Sequence, residues 1–148
     1  MILIDANLLL FAYDPNAPQH DASRLWLEAT LSGSSLVRFT WLTLWAFLRI
    51  ATDPRVFERP LSISEAEHHV SSWLAQPLAG ILEPGERHWE ILQQLNREGQ
   101  ASGPLIVDAA LAAIAIEHGA TLCTTDRDFA RFPGLTWTNP IAPRQSRA

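Results

Sequence analysis

Short apolar runs alternate along this chain with stretches of helical periodicity, and this alternation restricts the fold more than any other feature of the sequence. The runs ILID, SLVRFT, GILEP and ATLCTTD are each too short for a helix. They are bounded by turn-forming or polar residues, as strands buried on both faces are. LTW near the C-terminus is a candidate fifth strand. NLLLFAY follows the first run after a sharp exit at Asn7. His20 to Leu31 carries Leu25, Trp26 and Leu31 at helical spacing and is stopped by Gly33. Trp41 to Ala51 is a very apolar helix closed by Asp53-Pro54. Ser62/Glu65 and Ser64/Glu67 both have capping-box spacing and open a helix that runs to about Ala75. Glu86 to Arg97 is amphipathic, and LIVDAALAAIAIEHG is a long helix with Gly119 at its C-terminus. The order predicts an α/β fold, a mostly parallel sheet of four to five short strands with helices on both faces. In such sheets ligand chemistry gathers outside the carboxyl ends of the strands.

A length of 148 residues, 47% of them hydrophobic, suits one domain with a substantial core. We expect that domain over residues 1–140, and a disordered Pro/Arg/Ser-rich tail over 141–148. No apolar run approaches the roughly 20 residues of a membrane span. MILIDANLLL lacks a basic start and is interrupted by Asp5, so it does not read as a signal peptide. The single cysteine, Cys123, lies in an apolar stretch and is expected to be a buried thiol. These features predict a cytoplasmic protein. Net charge is −5, and the basic residues are all Arg. That balance argues against a broad basic face for nucleic acid, but not against an acidic metal site, which makes its own local positive charge once loaded.

Two acids stand at expected strand ends, Asp5 after ILI and Asp126 after TLCTT. A buried strand delivers such side chains rigidly to the rim of the sheet. The bland alternative is that both are turn formers. Asp108 interrupts an otherwise apolar helix, among Leu105, Val107, Leu111 and Ala112. A carboxylate there is costly unless it is paired or binds a metal. It equally suits the N-terminal turn of a helix, where the macrodipole favours an acid. Taken together, clustered carboxylates call for a cation, and hard Mg²⁺ or Mn²⁺ prefers oxygen ligands.

The opening IDANLLLFAYD, the helix ending AFLRIATDPRVF and the segment IVDAALAAIAIEHGATLCTTDRDFARFPGLTW resemble a PIN domain. More narrowly they resemble the VapC toxins of bacterial type II toxin–antitoxin pairs, over about residues 1 to 140. The resemblance implies a three-layer α/β/α fold and Mg²⁺-dependent cleavage of RNA, with Mn²⁺ as a plausible substitute. It also implies a cognate antitoxin that silences the activity, and pairing as a homodimer. By motif, Asp5, Asp108 and Asp126 match the catalytic acids, Asp5 and Asp108 being the metal ligands. Asp128 matches an additional acid and Asn7 the polar residue that steadies Asp5. Thr124 or Thr125 matches the hydroxyl beside the last core strand. One departure stands out: where the family usually carries a Glu in a pattern like E-L-x-R, this chain reads Ala46-Phe47-Leu48-Arg49. One ion at Asp5 and Asp108 is therefore expected rather than two, with Asp126 and Asp128 completing the pocket directly or through water.

Arg49 faces either a phosphate or a structural acid. His68, His69, His88 and His118 lack metal-ligand spacing and read as surface groups. Trp41 and Trp45, one turn apart with Phe47 nearby, read first as core and second as a groove for an antitoxin helix. An aspartate-nucleophile phosphatase would carry an Asp where Asn7 stands, and a phospho-receiver would carry a late Lys that this chain lacks. A binding-only relative of the nucleases, lacking the helix Glu, stays open as the alternative function.

Overall fold

The computed structural model describes residues 1–143. Its elements run β1 (Ile2–Ile4), α1 (Ala6–Tyr13), α2 (His20–Leu31), β2 (Val37–Phe39), α3 (Trp41–Ala51), α4 (Ile63–Leu74) and β3 (Ala79–Ile81). They continue with α5 (His88–Glu98), α6 (Leu105–His118), β4 (Thr121–Cys123), a 3-10 helix (Arg127–Arg131) and β5 (Trp137–Thr138). The five strands form one sheet in the order β3-β2-β1-β4-β5, and every pairing is parallel. The expected α/β sandwich is what the chain builds.

Alternation along each short strand sorts side chains to two cores. Ile4, Val37, Phe39 and Cys123 face one side, where Leu8, Leu9, Leu27, Leu44, Phe47 and Trp73 of α1 to α4 meet them. Leu3 and Leu122 face the other, under Ile91 and Leu95 of α5 and Ala109, Ala112 and Ile114 of α6. The chain therefore crosses the sheet once, after β3. Its direction of winding reverses between β1 and β4, and a crevice opens at such a switch point above the carboxyl ends.

Most element boundaries follow the sequence signals. Ser62 and Glu65 form a complete capping box at α4, whereas Ser64 and Glu67 already lie within the helix. Gly119 ends α6 with a left-handed φ of 67°, a conformation that glycine adopts without steric cost. The α5 helix starts at His88, not Glu86. The carboxylate of Glu117 accepts hydrogen bonds from the backbone N–H of Gly85 (2.8 Å) and Arg87 (2.9 Å), holding that stretch as a turn. A Cβ on Gly85 would lie 2.5 Å from Glu117 Oε2, so the clip requires glycine.

Two expectations fail here. Trp41 and Trp45 are not core residues: they are 42% and 61% exposed, while Phe47, on another face of the same helix, is fully buried. Strand β4 stops at Cys123, so Asp126 stands three residues past the strand and not on its end. Cys123 itself is buried, and burial pushes its thiol up to about 11. Ile141 is half-buried against the α1 to α4 core. The rest of the anticipated tail, 144–148, lies outside the described residues. Among the described residues, no helix is long and apolar enough to cross a membrane.

Candidate active site

Each of the three acids stands at the start of an element, two as caps and one in a first turn. Asp5 leaves β1 in extended conformation and caps α1, its Oδ1 accepting the Ala6 N–H at 2.7 Å. Asp126 caps the 3-10 helix, its Oδ1 accepting the Asp128 N–H at 2.9 Å. Asp108 lies in the first turn of α6. Three helix N-termini thus turn their positive ends to one crevice, which partly offsets the cost of gathering carboxylates there. Both readings of Asp108 hold at once: it is an N-terminal acid, and it faces the cluster.

Thr124 joins these parts. The β1–β4 register places Ile4 beside Cys123, so the next residues, Asp5 and Thr124, are neighbours. The buried Thr124 hydroxyl donates to Asp5 Oδ2 at 2.8 Å. Its oxygen accepts the Asp126 N–H at 3.0 Å and the Asn7 side-chain amide at 3.3 Å. One hydroxyl therefore fixes Asp5, the loop carrying Asp126, and Asn7. The sequence left Thr124 and Thr125 as equals; the hydrogen bonds select Thr124. Asn7 steadies Asp5 through that hydroxyl and not by direct contact.

The electrostatics show that the acids feel one another. Burial raises the pKa of Asp5, against the opposing hydrogen bonds from Thr124 and Ala6, and the charge on Asp126 raises it further. Asp108 is pushed up to about 6, first by burial and then by Asp126, Asp5 and Asp128, with Arg131 pulling the other way. None of these four carboxylates is among the salt bridges of the described residues. Asn7 Oδ1 is buried beside them without a hydrogen-bond partner. Unpaired carboxylates, two of them held above their ordinary range, together with an orphaned amide oxygen, form an all-oxygen donor set that suits a hard divalent cation. As they stand, no three acid, His or Cys side chains among the described residues close on a single point as a metal shell. The acids form a neighbourhood, not a preformed cage.

Two predicted contributors lie elsewhere. The α3 helix starts at the rim behind its cap Thr40 and carries Arg49 in its last turn, about 13 Å along the axis at 1.5 Å per residue. The carboxylate that feels Arg49 is Asp53, which Arg55 grips with two side-chain hydrogen bonds of 3.2 and 3.1 Å. Arg49 is thus not gathered with the acids. No acid at all stands on α3: Ala46 takes the place of the usual Glu, and the next residue, Phe47, packs edge-on against Trp73, 4.8 Å between ring centroids. The sequence reading missed Arg131. Its signal was present in DRDFAR, because side chains three apart eclipse on a 3-10 helix, and Arg131 is three beyond Asp128.

The family model of the PIN domain matches residues 2–135, nearly the whole chain. This chain belongs to the PIN-domain family. Within that family it is similar to ribonuclease VapC37 of Mycobacterium tuberculosis, at 41% identity over 142 residues, 96% of this chain and 99% of the relative. Among solved PIN-domain folds it superposes on VapBC2 from Rickettsia felis bound to a promoter DNA fragment, with a TM-score of 0.67 and 17% identity. That match covers 93% of this chain and 98% of the other. A toxin–antitoxin complex from Klebsiella pneumoniae gives a TM-score of 0.63 at 19% identity, covering 95% and 98%. Asp5, Asp108 and Asp126 sit at the PIN-domain fold's switch point.

Proposed function

We propose that this PIN domain is a metal-dependent endoribonuclease, the toxin of a type II toxin–antitoxin pair, with Asp5, Asp108 and Asp126 as its catalytic acids. The observation that carries this reading is the unpaired carboxylate cluster at the β1–β4 switch point, in a chain whose relatives at about 40% identity are named VapC ribonucleases.

Asp5 and Asp108 would hold the divalent ion, Mg²⁺ or Mn²⁺, with Asp126 and Asp128 completing the acidic wall. When bound, such an ion supplies positive charge against a phosphate and lowers the pKa of a bound water. The chain's own residues do the positioning. Thr124 and the Ala6 N–H fix both oxygens of Asp5, so that this carboxylate cannot rotate away. The Asp126 carboxylate spends one oxygen on the Asp128 N–H and keeps the other for solvent or ligand. Ile106 and Val107, both exposed, flank Asp108 and offer apolar surface to a base at the mouth of the crevice. A cognate antitoxin would insert an Arg among the same acids and seat apolar anchors on the exposed Trp41 and Trp45. Phe47, being core, is not available for that contact.

The test is cleavage of structured RNA by the purified chain with Mg²⁺ or Mn²⁺, and its loss in chelator. Asp5→Asn should keep the fold, by circular dichroism and melting, and lose cleavage by at least about a hundredfold, the scale of losing a metal's contribution to catalysis. Wild-type rates in that variant would remove Asp5 from the site. One observation favours a second reading, an RNA-binding module that does not cut: α3 carries no acid, and no metal shell is closed among the described residues. RNA retained on the protein but never shortened under saturating metal would select that reading.

A further inference from the structure

Arg131 stands on the 3-10 helix that packs against α6, and its charge reaches Asp108, yet it pairs with none of the acids among the described residues. It ends the 3-10 helix, exposed, between two buried anchors, Phe129 at 1% and Phe132 at 3% exposure. Its Nη1 donates to the backbone carbonyl of Gly99, 3.1 Å away, in the turn after α5. Gly99 itself is tightly placed: its N–H donates to Leu95 O at 2.8 Å, and a Cβ there would meet Phe132 Cδ1 at 2.8 Å. A free surface arginine would sample many rotamers or collapse onto the nearest carboxylate. Here one nitrogen is tethered, while Nε and Nη2 have no hydrogen-bond partner among the described residues, and Asp128 stands three positions earlier on the same 3-10 helix.

We propose that Arg131 is a substrate-positioning residue that holds a backbone phosphate of the RNA flanking the one presented to Asp5 and Asp108. This assignment rests on the ribonuclease reading above. The need for it is electrostatic. A chain of net charge −5 that gathers four carboxylates at its working surface repels a polyanion, and its long-range field cannot bring RNA to the rim. A single preorganised guanidinium next to the acids supplies a local foothold. Its planar fork matches two phosphate oxygens, and the tether to Gly99 has already removed part of its rotamer freedom. The same tether explains why the guanidinium does not neutralise Asp108, which leaves that carboxylate free for a cation.

The experiment is steady-state cleavage of a single-stranded RNA oligonucleotide with Mg²⁺ by wild type, Arg131→Ala, Arg131→Gln and Arg131→Lys. Arg24→Ala on α2 serves as a variant of equal charge change. Gln keeps an N–H donor for Gly99 O but has no charge, and so separates the tether from the phosphate contact. The Ala and Gln variants should raise KM about tenfold with kcat within about threefold, the size of losing one charge-assisted contact. The slope of log KM against log salt should fall by about 0.7, one single-strand phosphate contact. Lys should recover part of the affinity, and Arg24→Ala should match wild type. If Gln behaves as wild type while Ala melts lower, Arg131 is only a tether and the proposal is overturned. Unchanged KM and salt slope in all variants overturn it too. Wild-type protein that neither binds nor cleaves RNA overturns the ribonuclease reading and this assignment with it.

Discussion

Asp108 carries the clearest pH signature in the molecule. Its carboxyl is pushed from 3.8 up to about 6, so the folded chain holds that proton more tightly than the unfolded chain does. The sign is the reverse of a salt-bridged acid. This contribution to stability is fully present below about pH 4 and is lost as pH rises toward 6. In chelator at pH 7.5, Asp108→Asn should therefore melt higher than wild type. We expect about 1 kcal/mol after discounting for solvent screening, or about 3 °C, with the gap closing near pH 4. A lower melting point for Asp108→Asn at pH 7.5 would show that the cluster is not strained. Thr124 gives the opposite sign. Thr124→Val strands the Asp126 N–H, the Asn7 amide and one oxygen of Asp5, and should cost about 2 kcal/mol or more in urea unfolding. Thr124→Ser should retain most of the stability; equal losses in both would point to the methyl and not the hydroxyl. The neighbourhood of Asp5, Asp108 and Asp126 was legible because acids at expected strand ends and an acid in an apolar helix are conspicuous on their own. Arg131 and the choice of Thr124 over Thr125 were not, since each depends on a partner far away in sequence.

At the scale of elements, the chain's punctuation was readable wherever one local signal decided the outcome. Ser62 with Glu65, Gly119, and the apolar runs of β1 and β4 are such cases. Boundaries set by distant groups were not readable. The α5 helix begins two residues late because Glu117, thirty-two positions beyond Gly85, takes the N–H groups there. Glu117→Ala should fray the first turn of α5, seen as faster amide exchange at Gly85 and Arg87, and lower stability by about 1 kcal/mol. Gly85→Ala should do the same by expelling the carboxylate. If exchange at those two amides is unchanged in both variants, the clip does not hold the turn. The tryptophans of α3 were misjudged for a related reason. Periodicity places Phe47 and Leu44 inward, but the width of the buried stripe depends on what covers the helix. The described chain covers Trp41 and Trp45 only in part.

For the whole molecule, the exposure of Trp45 and of Trp89, at 61% and 66%, leaves apolar surface that a second protein would cover. Pairing as a homodimer is our expectation for the chain without an antitoxin. Light scattering at micromolar concentration should then report about twice the 16.5 kDa of one chain. A single species at the monomer mass would count against it. The buried sulfur of Cys123 offers a gauge of a different kind. It is the only thiol in the protein, and it immediately precedes Thr124, whose hydroxyl fastens Asp5. An alkylating reagent can reach it only when the α1 to α4 layer lifts from the sheet, and Asp5 caps α1, so the rate of labelling is a clock for opening beside the acids. Any ligand that ties the carboxylates together should slow that clock, even under conditions where no chemistry takes place. The protein thus carries its own reporter of site occupancy, with no label to introduce and no residue to replace.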